Sequence, residues 1–182
     1  GSFTDILGSN VGATKEFGEP NHALEIGGRS VWFAWTAPAS GVATVATTDT
    51  SFDTVLAVYT GSAVTNLTVV ATDDDSGGNG TSRLEFNAVA GTTYRIAVDG
   101  FAGASGPLAL SLHLNLPPLV SITAPSNGTV FNAPMNLTVT ATASDPDGTV
   151  VRIEFLDGTN LVGVATSAPF NLTTNILFGG NF

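Results

Sequence analysis

Short runs of alternating apolar and polar residues fill the chain, and Gly, Pro, Asn and Asp interrupt them at intervals of about 8–12 residues. Helical spacing of apolar residues is almost absent. The pattern predicts strands at 30–36, 41–47, 54–59, 67–72, 82–87, 93–98 and 108–114, then at 119–123, 135–143, 149–155, 160–165 and 170–173. Alternation within Val31-Trp32-Phe33-Ala34-Trp35 puts Val31, Phe33 and Trp35 on one face, the core face, and Trp32 on the other. The expected class is all-β.

Between the two strand series lies Leu114-Asn115-Leu116-Pro117-Pro118. Two prolines remove backbone donors and favour an extended, stiff connection. The expected organisation is a first domain at 1–114, a linker at 115–118 and a second domain at 119–182. The second series has five strands, whereas an immunoglobulin-like sandwich has seven in about 100 residues. The closing stretch, residues 175–182, is apolar and offers no last hairpin. The second sandwich is therefore expected to lack its final strands.

Several motifs follow one another in the first part. Ala13-Thr14-Lys15-Glu16-Phe17-Gly18-Glu19-Pro20-Asn21-His22-Ala23 precedes Gly28-Arg29-Ser30-Val31-Trp32-Phe33-Ala34-Trp35. Ser51-Phe52-Asp53-Thr54-Val55-Leu56 comes next, then Asp74-Asp75-Ser76-Gly77-Gly78, then Ala90-Gly91-Thr92-Thr93-Tyr94-Arg95-Ile96-Ala97-Val98-Asp99-Gly100. This order resembles the bacterial pre-peptidase C-terminal-like domain over nearly all of residues 9–114. The resemblance implies a non-catalytic sandwich of jelly-roll type, appended to secreted proteases and large surface proteins. The second part carries Pro117-Pro118-Leu119-Val120-Ser121-Ile122-Thr123-Ala124-Pro125 and Ala143-Ser144-Asp145-Pro146-Asp147-Gly148-Thr149-Val150. It resembles the bacterial immunoglobulin-like domains that occur in tandem on secreted and cell-wall proteins. Together the two likenesses imply tandem β-sandwiches from a longer extracellular or cell-surface protein.

Charge narrows the partners. Of the 182 residues only 11 % are charged, with 15 acidic against 5 basic and a formal net charge of −10. Such a surface repels nucleic acid and anionic membranes but suits divalent cations. No apolar run approaches the roughly 18 residues of a membrane helix, so no membrane insertion is expected. The chain has no cysteine, which excludes disulfide and thiolate chemistry. No leader is visible at the abrupt start, Gly1-Ser2. Five Asn-x-Ser/Thr sequons, at Asn66, Asn79, Asn127, Asn136 and Asn171, are what chance gives in an Asn- and Thr-rich bacterial chain.

The densest chemistry is Asp73-Asp74-Asp75, followed by Ser-Gly-Gly-Asn-Gly. Calcium takes six to eight oxygen ligands, and such a loop supplies several. The competing reading is a solvated turn whose Asp and Asn side chains cap backbone donors. Glu16, Glu19 and Asn21, with Glu25 beyond, form a second candidate. Their Glu-Pro-Asn core resembles a calcium-binding linker of collagen-binding relatives. Asp53 and Asp99, at strand ends, read as acceptors for backbone N–H groups in tight turns. Asp145-Pro146-Asp147-Gly148 reads as a type I turn. Trp32, outside the core face, is the candidate ligand-binding aromatic, a platform for a sugar ring or a residue packed under a loop.

Neither His22 nor His113 lies in a metalloprotease motif, and no Gly-x-Ser-x-Gly elbow or phosphate-cradling loop is present. No catalytic residue is assigned and no enzyme activity is expected. The expected function is a structural or adhesive module outside the cell, with calcium as the candidate cofactor. Its expected partners are neighbouring domains of the same polypeptide and further copies in fibres completed by strand exchange, with Phe3–Leu7 or residues 176–182 as the donated strand. The alternative is an accessory domain that binds extracellular polysaccharide or protein for an attached hydrolase.

Overall fold

The computed structural model describes residues 3–176 and 180–181, and it is β-structure almost throughout. The chain divides into two compact units, 1–116 and 117–182. Both are built as β-sandwiches.

The first unit has eight strands: β1 (Phe3–Ser9), β2 (Val31–Thr36), β3 (Gly41–Ala46), β4 (Thr54–Thr60), β5 (Thr68–Asp73), β6 (Arg83–Ala88), β7 (Thr93–Gly100) and β8 (Pro107–Asn115). They form two antiparallel sheets with orders β1-β8-β3-β6 and β2-β7-β4-β5. First strand beside last, third beside sixth, second beside seventh and fourth beside fifth is the jelly-roll order, two Greek keys folded face to face. Strand β1 lies outside the sequence-predicted set. Its register on β8 runs from Phe3 opposite His113 to Ser9 opposite Pro107.

Alternation decides what faces inward. Leu108, Leu110, Leu112 and Leu114 of β8 are buried, as are Leu84, Phe86 and Ala88 of β6. They meet Leu56, Val58, Tyr94, Ile96 and Val98 from the other sheet in one core, against which Val31, Phe33 and Trp35 pack. Trp35 stacks on Tyr94 with ring centroids 5.8 Å apart. Strand β4 is buried on both faces. Its second face, with Ala57 and Tyr59, packs with Ala97 of β7, Trp32 and Leu67 outside the main core. A 3-10 turn at His22–Leu24 packs against β4 and β5, and a second follows β7 at Phe101–Gly103.

The second unit contains β9 (Leu119–Ala124), β10 (Val130–Phe131), β11 (Met135–Ser144), β12 (Ile153–Asp157), β13 (Asn160–Ala165), β14 (Phe170–Ile176) and β15 (Gly180–Asn181). Its sheets have orders β14-β11-β9, β12-β13 and β10-β15. Leu137, Val139, Ala141, Ile153, Phe155, Ala165 and Phe170 make a smaller core. The strand predicted at 149–155 begins regular pairing only at Ile153, after the turn at Asp145. There the Asp145 carboxylate accepts from the Asp147 N–H at 3.2 Å.

Candidate functional site

Antiparallel pairing of β4 and β5 sets Leu56 opposite Asp73. The start of β4 and the loop after β5 therefore share one end of the sheet. Gly78, Asn79 and Gly80 all take positive φ, between 54° and 83°, and fold that loop tightly back on itself. The Gly80 carbonyl accepts from the Thr54 N–H at 2.8 Å, and a Cβ at Gly80 would stand 3.3 Å from the Asp53 carboxyl carbon. Below, Ser82 Oγ lies 2.7 Å from the carbonyl oxygens of both Thr54 and Asp74.

This loop separates the three consecutive aspartates. Asp73 closes the turn: its carboxylate accepts from the Ser76 N–H at 3.0 Å, from the Arg83 N–H at 2.8 Å and from the Ser76 hydroxyl. Asp74 and Asp75 turn instead toward Asp53, and one carboxylate oxygen from each of the three lies within 4.8 Å of the others. Asp53 was expected to hold backbone N–H groups. Among the described residues its carboxylate accepts no hydrogen bond and joins the acidic group, because β-pairing brings it there from twenty positions upstream, while its backbone carbonyl accepts from the Phe101 N–H at 3.0 Å. Asp99 does hold backbone: its carboxylate accepts from the N–H groups of Gly28, Arg29 and Gly100 at 2.7–3.0 Å. Gly27 must be glycine, since a Cβ there would overlap the Asp99 carboxylate.

Two of these carboxyls, Asp53 and Asp74, hold their protons more tightly than usual. Burial, then Asp75, pushes the Asp53 carboxyl above the usual carboxylate range. Burial, then Asp75, Glu25, Asp53 and Asp73, does the same to Asp74. Asp74 Oδ1 is buried without a hydrogen-bond partner among the described residues. Calcium holds oxygens at 2.3–2.6 Å, so two ligands of one ion stand at most about 5 Å apart. Asp53, Asp74 and Asp75 fit that limit and have oxygens to spare.

The other predicted calcium ligands are occupied differently. Glu19 Oε2 accepts from the Glu16 N–H at 2.8 Å. Glu19 Oε1 meets His22 Nε2 at 2.9 Å and accepts from Trp32 Nε1 at 3.1 Å. Asn21 Oδ1 accepts from Lys15 Nζ at 2.9 Å, and Glu16 is exposed. The three do not converge on one point. Glu19 is the acceptor of a buried network whose other end is His22 Nδ1, 2.8 Å from the Tyr59 hydroxyl. Burial raises the Glu19 carboxyl, but the neighbouring Ser30 hydroxyl, the Glu16 N–H and His22 outweigh it and hold the group below its ordinary value. Burial likewise holds His22 below the ordinary imidazole value, against the pull of Glu19. Burial and then Glu19 push the Tyr59 hydroxyl up to about 12.

Trp32 packs edge-on to His22 beneath the loop of residues 16–22, with ring centroids 5.3 Å apart. Its remaining surface lines a cavity of about 260 Å³ together with Glu16, Ser62, Leu67 and Arg95. Sequence alternation found the outward face of Trp32. Arg95 is signalled the same way, by its outward position between Tyr94 and Ile96.

Residues 118–178 match the bacterial Ig domain family. The second unit is thus similar to bacterial Ig-like domains, a type typical of non-catalytic modules in larger bacterial proteins. That match does not reach the first unit. Among solved structures, the chain is similar to the fibronectin(III)-like modules of Clostridium thermocellum CbhA, at 21% identity and a TM-score of 0.34, over 81% of this chain and 79% of that one. No curated protein matches the chain.

Proposed function

We propose that the chain is a non-catalytic pair of modules from a larger bacterial protein outside the cell, and that calcium bound by Asp53, Asp74 and Asp75 stiffens the first. The observation that carries the module reading is the bacterial Ig domain following directly on a jelly roll. Domains of that Ig type belong typically to extracellular or surface proteins. The motif order of the first unit supports relationship to pre-peptidase C-terminal-like domains. Calcium is supported by the spare oxygens of the three aspartates, and Asp73 supports their loop from behind. An ion there would bind only the folded loop and so stabilise it.

Calcium titration followed by thermal melting tests this. The native chain is expected to melt later in calcium than in chelator, by about 2.7 kcal/mol at one hundred times the dissociation constant. Asp74→Asn reverses sign between the two conditions. In chelator it relieves repulsion and stabilises by about 0.5 kcal/mol. In calcium it loses most of the metal's contribution. A melting curve indifferent to calcium removes the ion from the reading and leaves the module pair.

Assembly through shared strands has a place to occur in the second unit. Among the described residues β12 pairs only with β13, and β9 exposes Leu119, Val120 and Ile122 along a strand with no buried residue. Such edges accept an added strand. The donor is not Phe3–Leu7, which β8 already pairs within the first unit. Of residues 176–182, Ile176 ends β14 and Gly180–Asn181 pair with β10, while 177–179 and 182 lie outside the described residues. Sedimentation of the native chain decides the matter: a monomer of 18.4 kDa would remove the fibre.

A further inference from the structure

Arg95 carries the only positive charge lining the cavity beside Trp32. It stands on β7 opposite Ala34 of β2 and Tyr59 of β4, and it points away from the main core. It is half-buried, and among the described residues its guanidinium has no hydrogen-bond or ion-pair partner, although its backbone pairs in the sheet. A guanidinium offers five donors in a rigid fork that matches a carboxylate, and its partial burial without a partner is unfavourable. In a chain of net charge −10, an unpaired arginine in a concavity is the exception.

The wall beside it is already fixed. The indole of Trp32 is held by its N–H to Glu19 and by the His22 edge, so it loses little freedom when a ring lies against it. Leu67 extends the apolar wall, while Glu16 and the hydroxyl of Ser62 stand where hydroxyl groups can be met. At about 30 Å³ per water, the cavity holds roughly nine waters, enough space for one ring-sized group. An indole in the wall, a guanidinium fork and hydroxyl-binding groups together select a ring that carries both hydroxyls and a carboxylate.

We infer that this cavity binds a uronic-acid unit of an acidic polysaccharide. The carboxylate takes the Arg95 fork, the sugar ring lies on Trp32, and sugar hydroxyls donate to Glu16. This site is separate from the three aspartates and does not depend on their calcium.

Affinity electrophoresis of the native chain through gels containing soluble polygalacturonate, dextran or gelatin, in chelator at about 0.15 M salt, tests it. At that ionic strength charges more than about 8 Å apart are largely screened, so the general repulsion between two polyanions is weak and local contacts decide. Polygalacturonate is expected to retard the chain saturably, while dextran and gelatin leave it unretarded. Arg95→Ala should weaken the retardation at least tenfold. Ala63→Trp, at an exposed position beside Ser62, should do the same by closing the mouth while leaving Arg95 in place. Near-UV circular dichroism of both variants shows whether the fold is kept. Three results would overturn the inference: no retardation by polygalacturonate, equal retardation of the native chain and a folded Arg95→Ala, or equal retardation by dextran or gelatin. Because chelator is present throughout, a failure here leaves the calcium reading standing, and a calcium-insensitive melting curve leaves this one standing.

Discussion

In the first unit four strands, β3, β4, β7 and β8, have a partner on each side, and five residues of the main core on three of them (Ala43, Val45, Leu56, Val58 and Val98) are completely closed off from solvent. In the second unit β11 alone among the described strands has two partners, and six of its seven core residues keep 7–8 % of their surface exposed. Both sequences alternate well. What differs is how many strands stand behind each face. An alternating strand supplies an apolar surface, but a second complete sheet is needed to close it. The polar groups follow the same rule: in the first unit Asp99, Thr47, Thr54 and Ser82 are buried with their hydrogen bonds made, while the second has no buried polar side chain among the described residues.

The comparison is broken most directly through the cores. Leu56→Ala, in a site with no solvent access, should cost about 3–5 kcal/mol. Ile153→Ala, in the looser core, should fall near about 2 kcal/mol, because a looser site leaves less of a cavity. Scanning calorimetry of each variant gives both numbers, and equal losses would mean the two cores are equally closed. A smaller effect sharpens the picture of the first unit. His22 is neutral when folded and its folded proton affinity is lowered, so the unfolded chain binds more protons below about pH 6.5. Stability contributed by the His22 network is therefore present above that pH and lost as pH falls below it. Trp32 fluorescence should follow this loss. His22→Gln should cost about 1 kcal/mol at pH 8 and flatten the pH dependence. A pH profile unchanged by the substitution would assign the titration to another group.

Most strands were legible because their alternation is strict, as in Leu108 to Leu114. Strand β1 was not: Leu7 is exposed beside the half-buried Ile6, so its pattern has no clean period and only pairing with β8 defines it. Strands β10 and β15, of two residues each, are too short to carry a period. The aspartate loop was legible as a loop, since its glycines and Asn79 are residues that accept positive φ. Its division was not. Whether an Asp caps its own turn or faces a distant neighbour depends on the β4–β5 register, which joins Asp53 to Asp74 and Asp75. The oxygens of the Glu-Pro-Asn segment do not gather for a similar reason: Trp32 and His22 take up a Glu19 oxygen first.

The pairing of β1 with β8 also fixes how the first unit responds to mechanical load. Phe3 lies opposite His113, so the chain enters and leaves this sandwich at neighbouring points about 5 Å apart. Tension between those points peels the ladder one rung at a time and does not shear all its hydrogen bonds together. Pulling single chains by residues 3 and 115 should show a low-force opening; a high-force event would mean the load runs through other strands. Folded, the unit adds almost nothing to the reach of the polypeptide. Opened, its roughly 110 residues release about 370 Å of chain, a reserve of slack folded into one sandwich.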